Sequence, residues 1–460
     1  MLLPAPLAAL LALVLPARAQ EHAPPAVGAV AVLAAEIPDG SPTEVAATEG
    51  DDLQAIVRGL TRGSILHVRA GTYAAPLHID RPLTIEADPG AILAGDGHGT
   101  LLIIGADDVT VRGLAIRGGG TNATTGDAGV LVHGERFRLE RLLVEDALIG
   151  LDLRQANHGV ITGCTVRGKT DLPLGQRGDG IRLWEAYHNL IEDNELEGTR
   201  DLVVWYSSHN RILHNRVHDG RYGTHFMHTE DNEVVGNAYD NNVVGIFVMY
   251  SEGIHIRGNR VTGARGAAGV GLGFKESDAI DVTGNWLVGN TTGIYLDNTP
   301  HRIGGSTRFV GNLYAYNHTG LRIHGSNAGA TFTGNDFHEN GVPVAVDGNV
   351  DAHGSHFAGN WWSEYAGYDL DGDGTGDLPF AWRAVTTGLA SRYPEISFFS
   401  GTPAAALLDL LGAAFPMFAP KALMQDDTPR MGTSPYRVPE GRVPVTRVPF
   451  NPPAVGDGSI

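Results

Sequence analysis

Six methionines occur in 460 residues, and two of them, Met227 and Met249, stand 22 positions apart. His225 lies two residues before the first of this pair and His228 directly after it. Thioether sulfur is a soft donor that selects Cu(I) over hard cations, and imidazole accepts several first-row metals. If the 22-residue spacing is one turn of a repeat, both sulfurs and the His225 imidazole face the same side of neighbouring strands, because residues i and i+2 share a face. His228 adds a nitrogen only if the strand ends at Met227. Trp184, Trp205 and Lys275 fall in the same phase, so an apolar outward stripe covered by a loop or a partner is the alternative reading.

Two further groups carry chemistry. Asp369, Asp371, Asp373 and Asp377 occupy positions 1, 3, 5 and 9 of a loop with Gly374 at position 6, the order of a calcium loop. Phe380 stands at position 12, where a bidentate Glu is expected, so a solvated acidic turn is the competing reading. Glu230, Glu252 and Asp278 also recur in phase, next to Thr229, Ser251 and Ser277. Such a column of acids lines a sugar groove or forms a solvated turn. The sequence contains no phosphate loop, nucleophile elbow or His-Glu-x-x-His motif.

These residues need an element that repeats about every 22 residues, and asparagine reveals it. Asn194, Asn215, Asn237, Asn259, Asn285, Asn312 and Asn335 follow at intervals of 21, 22, 22, 26, 27 and 23. An apolar residue precedes each by three positions (Ile191, Ile212, Val234, Ile256, Val282, Phe309, Phe332) and another follows by two. A second alternating segment recurs ahead of each, as in Ile246-x-Val248 and Leu272-x-Phe274. Period-two alternation in units this short predicts strands, and the repeat predicts a right-handed parallel β-helix, all-β, with the asparagines stacked about 4.8 Å apart in a structural amide ladder. Cys164 sits in the same pattern, Ile161-x-x-Cys164-x-Val166, and is expected to be a small buried rung residue, not a reactive thiol.

Composition narrows the function further. The formal charge is −19, from 33 basic and 52 acidic residues, which disfavours a nucleic-acid partner. One cysteine excludes a disulfide framework and thiolate metal clusters. Glycine, at 62 residues or about 13%, is nearly twice the usual share of roughly 7%, as frequent tight turns require. Residues 1–19 read as a signal peptide, with an apolar run from Leu7 to Leu15 and the small-x-small end Ala17-Arg18-Ala19, which implies a periplasmic or extracellular protein. A short membrane anchor is the alternative, although about 12 apolar residues are too few to span a bilayer. No transmembrane segment is expected in the mature chain. Residues 51–393 are expected to form the β-helix, with an N-terminal cap from Asp51 to Ile85 and the Asp-rich loop at 369–377. Residues 394–460 form an extended C-terminal tail in which Ala404 to Ala414 is a short apolar helix.

Several segments together are more specific: Ala70-Gly71-Thr72-Tyr73 with His78 to Thr84, Val109 to Leu114, Tyr222-Gly223-Thr224-His225-Phe226-Met227, Val248-Met249-Tyr250-Ser251, and Asn360-Trp361-Trp362 leading into the acidic loop. In these the chain resembles the NosD family, periplasmic maturation proteins of nitrous oxide reductase. The resemblance spans roughly Asp51 to Phe380. It implies a scaffold, not itself an enzyme, that works with an ABC transporter permease and its ATPase. Such a scaffold receives copper from a lipoprotein chaperone and helps assemble the copper centres of apo nitrous oxide reductase. It also favours the copper reading of His225, Met227 and Met249, and it suggests that the helix in the tail docks on the permease or caps the last coil. The runner-up is a carbohydrate-active β-helix enzyme, a polysaccharide lyase or epimerase, although the Tyr-Gly-x-Asp-Pro-His run of the epimerase branch is absent.

Overall fold

Strands of two to six residues, many of them followed by a residue at positive φ, wind the chain into stacked coils. A computed structural model describes residues 40–434 apart from 348–350, 384–385, 387–388, 390–392, 400–401 and 416–421. The expected signal peptide and residues 435–460 of the tail lie outside the described residues. Three long sheets of 16, 13 and 12 strands run the length of the solenoid, and their pairing is parallel throughout, apart from one antiparallel pair at the C-terminal end. A representative coil contributes Arg211–Leu213 to the first sheet, Arg216–His218 to the second and Tyr222–Met227 to the third. The next coil starts at Glu233, which pairs with Arg211. Sharp corners at His214, Asp219 and His228 use φ between 52° and 58°, where a short polar or aromatic side chain is tolerated when the neighbouring coils fix it. The fold is thus the parallel β-helix that the period predicts.

Alternation decides what lies inside. The residues three before and two after each ladder asparagine are buried, among them Ile212, Val217, Phe309 and Phe337, and they join one continuous core. Each ladder asparagine is tied to the next coil: Asn215 donates from its side-chain amide and its backbone N–H to Oδ1 of Asn237 at 3.0 and 2.8 Å, and Asn237 does the same to Asn259 at 3.0 and 2.9 Å. Cys164 holds the upstream rung position. It is 1% exposed, its backbone N–H donates to Asn194, and burial pushes its thiol up to about 12.

Both ends are closed, as an open coil with unpaired edges requires. Helix Leu53–Gly59 begins at Asp52, whose carboxylate accepts from the N–H groups of Gln54 and Ala55, and it buries Leu53 and Val57 on the first coil. Arg81, fully buried, donates to the carbonyls of Arg58 and Leu60 at the end of that helix. The sheet begins at Glu44–Ala47, which pairs with Ser64–Val68, so within 51–85 the helix forms the cap and the strands from Ser64 onward are ordinary coils. At the other end Met424–Asp426 returns from the tail. Asp426 accepts from the backbone and side chain of Asn360 and from the indole N–H of Trp362, so a carboxylate terminates the amide ladder. Between these, Pro403–Ala414 is a helix capped by Thr402 and pinned through Asp409 to Thr386.

Candidate metal centre

The strand register places Trp184, Trp205, Met227, Met249 and Lys275 opposite one another on five consecutive coils of the third sheet. Their inward neighbours Leu183, Val204, Phe226, Val248 and Phe274 are fully buried, so the column faces outward, as the spacing predicts. His225 faces the same way, between Val203 on one side and Phe247 on the other. Its Nε2 lies 3.4 Å from Sδ of Met249. Met227 is the register partner of Met249 on the adjoining coil and lies in the same outward column. One soft ion can bond neighbouring donors this close, since first-row metal bonds to imidazole nitrogen and to sulfur are about 2.0 and 2.3 Å in the zinc case.

The sequence showed which way His225 faces but not what covers it. The imidazole is 7% exposed, stacked on the Tyr222 ring at 4.7 Å and met edge-on by Trp205 at 5.6 Å. Burial pushes its conjugate acid down to about 4, so the ring is neutral and its lone pair is available at any ordinary pH. Its Nδ1 and the indole N–H of Trp205 are both buried without a hydrogen-bond partner. Buried polar atoms are nearly always paired, so each of these two carries a desolvation cost that no protein partner offsets. The buried carboxylate of Asp201 is spent on Arg221, whose Nε donates to it at 2.9 Å, and it contributes no charge to the donor set. Two thioethers and a neutral imidazole fit a soft monovalent cation better than a dication, because nothing in that set offsets a second buried positive charge.

His228 stands apart from this centre. The strand does end at Met227, but His228 takes φ 52° and its exposed ring stacks between Tyr206 and Tyr250 at 5.2 and 5.1 Å. Trp184 packs against Tyr206 at 5.2 Å, so an aromatic rim continues from the column around this corner.

The acidic column aligns as expected, through parallel bridges from Glu230 to Glu252 and from Glu252 to Asp278. Two of its three acids are paired locally. Asp278 accepts from the N–H groups of His301 and Arg302, and the Arg302 guanidinium pairs with Glu252 at 2.7 Å. Thr229, Ser251 and Ser277 form a hydroxyl ladder: the N–H of Thr229 donates to Ser251 and that of Ser251 to Ser277.

In the acidic loop Asp369, Asp371 and Asp373 bring one oxygen each within 4.8 Å of the others. Asp377 is not one of this group, and its carboxylate accepts from the N–H of Leu370 at 2.7 Å. Hydrogen bonds from the N–H groups of Gly374 and Gly372 hold the Asp369 carboxyl below its ordinary value.

A family model described as periplasmic copper-binding protein (NosD) matches residues 157–367, a span that contains His225, Met227 and Met249. A Pseudomonas aeruginosa protein described as a probable ABC transporter binding protein NosD is 29% identical over 384 residues, covering 76% of this chain and 84% of that one. A Stutzerimonas stutzeri protein of the same description is 24% identical over 401 residues, covering 79% and 85%. Among solved structures, the A-module of a mannuronan C-5 epimerase from Azotobacter vinelandii aligns at a TM-score of 0.46 and 16% identity, covering 66% of this chain and 91% of that one. An exopolygalacturonase from Thermotoga maritima aligns at 0.46 and 12%, covering 71% and 91%.

Proposed function

Since the chain belongs to the NosD family, we propose that it is a periplasmic scaffold that carries Cu(I) on the outer wall of its β-helix, with His225, Met227 and Met249 as the ligands. The observation that carries this reading is the 3.4 Å approach of a neutral, otherwise unpaired imidazole to a thioether, with a second thioether in register. Copper is the cargo, and the chain contributes binding, orientation and exclusion of water. Burial keeps His225 deprotonated and the Trp205 and Tyr222 rings wall it off, so the ion exchanges water for sulfur and nitrogen as it enters. No carboxylate belongs to the set, which favours the lower charge state.

The relatives are named as transporter binding proteins. On that basis the scaffold works with an ABC transporter permease and its ATPase, takes copper from a lipoprotein chaperone, and supplies it for the copper centres of nitrous oxide reductase. The helix Pro403–Ala414 is the docking element for the permease: Leu407, Leu408, Leu410 and Leu411 are between 42% and 64% exposed, a row of apolar side chains that water alone does not favour. No helix among the described residues is long and apolar enough to cross a membrane. The protein is a carrier, not an enzyme, a reading supported by the pairing of two of the three column acids, Glu252 with Arg302 and Asp278 with the backbone N–H of His301. His228 serves the aromatic rim in place of the inner ligand set. The Asp369, Asp371 and Asp373 oxygens form a subsidiary calcium site near the last coil.

An anaerobic competition titration with a Cu(I) chelator tests the main reading. The mature protein should bind one Cu(I), and the Met227→Leu/Met249→Leu variant should lose at least tenfold in affinity. Equal affinity in the two proteins removes the site.

A further inference from the structure

A histidine that holds a metal usually donates its second ring N–H to a carboxylate or carbonyl, which fixes the tautomer and aims the ring, and loss of that partner costs roughly 10–100-fold in affinity. His225 has no such acceptor among the described residues, because its Nδ1 is buried without a hydrogen bond. Something else must aim the ring.

The strand itself supplies an answer. Regular alternation would turn residues 222 and 225 to opposite faces. Here the register slips: Asp201 pairs with Tyr222 while Val203 pairs with His225, so the strand Tyr222–Met227 carries one extra residue against its neighbour. Such bulges re-aim side chains. Gly223 and Thr224 both turn inward and are buried, and Gly223 is needed there, since a Cβ would come 2.3 Å from the Tyr239 ring. Tyr222 therefore emerges on the outer face beside His225, its ring stacked on the imidazole at 4.7 Å and 22°. The Arg221 guanidinium lies over the same tyrosine, 5.0 Å from the ring centroid, and is itself fixed by Asp201. Asp201 also accepts from the Tyr222 N–H at 3.2 Å.

On the reading that His225 binds Cu(I), we propose that Tyr222 is its positioning residue, aligning the imidazole by ring stacking in place of the usual hydrogen bond. Asp201 and Arg221 hold Tyr222, Tyr222 holds His225, and His225 meets Met249. The ring does the aligning and the hydroxyl does not, so Phe should substitute for Tyr where an aliphatic residue cannot.

The test is the Cu(I) competition titration, with the dissociation rate to excess chelator, on Tyr222→Leu, Tyr222→Phe and, as a control on the copper reading, Met249→Leu. Tyr222→Leu should bind about tenfold more weakly and release faster, at the low end of what a missing second partner costs. Tyr222→Phe should stay within twofold of the parent. A general loss of structure would not be rescued by Phe, and circular dichroism of the apo forms monitors it. If Tyr222→Leu fails to fold, Arg221→Gln reads the same coupling: it keeps the ring, loosens its support, and should weaken binding two- to threefold. Unchanged affinity in Tyr222→Leu, or in Arg221→Gln when that variant stands in, overturns the proposal, as does a Phe variant as weak as the Leu one. A Met249→Leu variant that binds as tightly as the parent defeats the copper reading instead and leaves a distinct signature.

Discussion

Two regions of the same coils use their polar groups in opposite ways. At the ladder corner Asn237 donates from its backbone N–H and its amide to Asn259, donates to the carbonyl of Ile212, and accepts twice from Asn215. On the outer wall of the adjoining strand His225 and Trp205 bury ring nitrogens that bond to nothing. Net hydrogen-bond energies are small, but an abandoned buried partner costs its full desolvation. The saturated corner is therefore where the repeat gains stability, and the orphaned wall is where it gives some up. Polar atoms that a stable fold would satisfy stay unsatisfied there, beside the residues proposed to bind copper.

Substitution should separate the two regions sharply. Asn237→Ala strands the Asn215 donors and the Ile212 carbonyl together, and should cost about 3 kcal/mol or more of unfolding free energy in urea titrations. His225→Leu removes a buried imidazole whose Nδ1 is unpaired, and should leave the same titration within about 1 kcal/mol of the parent, on the stabilising side. If His225→Leu proves as damaging as Asn237→Ala, the contrast is lost.

The upstream rung sharpens the comparison. Cys164 takes the ladder position with a thiol that accepts from the N–H of Leu142 at 3.4 Å and lies within donating distance of the carbonyls of Leu139 and Thr162, at 3.5 and 3.6 Å. Cys164→Asn should extend the amide ladder by one step and raise stability by about 1 kcal/mol, measured the same way. The native thiol should resist iodoacetamide at pH 8 and react once urea is added, because burial holds it near 12 against about 8.5 unfolded. Its folded value is the higher one, so its linked contribution to stability is whole below about pH 8.5 and declines as pH rises beyond that. The smallest effect belongs to the acidic loop. Millimolar calcium should raise the melting temperature by a few degrees, and Asp371→Asn should abolish the shift; an equal shift in the variant would assign it elsewhere.

Periodic features were legible in the sequence and single long-range ones were not. The asparagine intervals gave the coils, and the coils gave the register of Trp184, Trp205, Met227 and Met249, because each inference needs only neighbours one turn away. Two other amide ladders, Asn189 to Asn232 and Asn290 to Asn340, obey the same rule and were recoverable by the same count. The return of Asp426 onto Asn360, 66 residues on and outside the repeat, has no period to betray it. The bulge at Tyr222 breaks alternation, so a reading built on alternation could not place that ring on His225. Gly223, squeezed against Tyr239, was the local sign. The acidic column shows the converse limit: period predicted its alignment, but Arg302, which pairs with Glu252 and Asp278, lies in a loop outside the repeat.

Copper K-edge X-ray absorption on the anaerobically loaded protein tests the central claim most directly. One nitrogen and two sulfur scatterers around Cu(I), with the sulfurs lost in Met227→Leu/Met249→Leu, is the predicted result. A first shell of nitrogen and oxygen alone, unchanged by that double substitution, would contradict it.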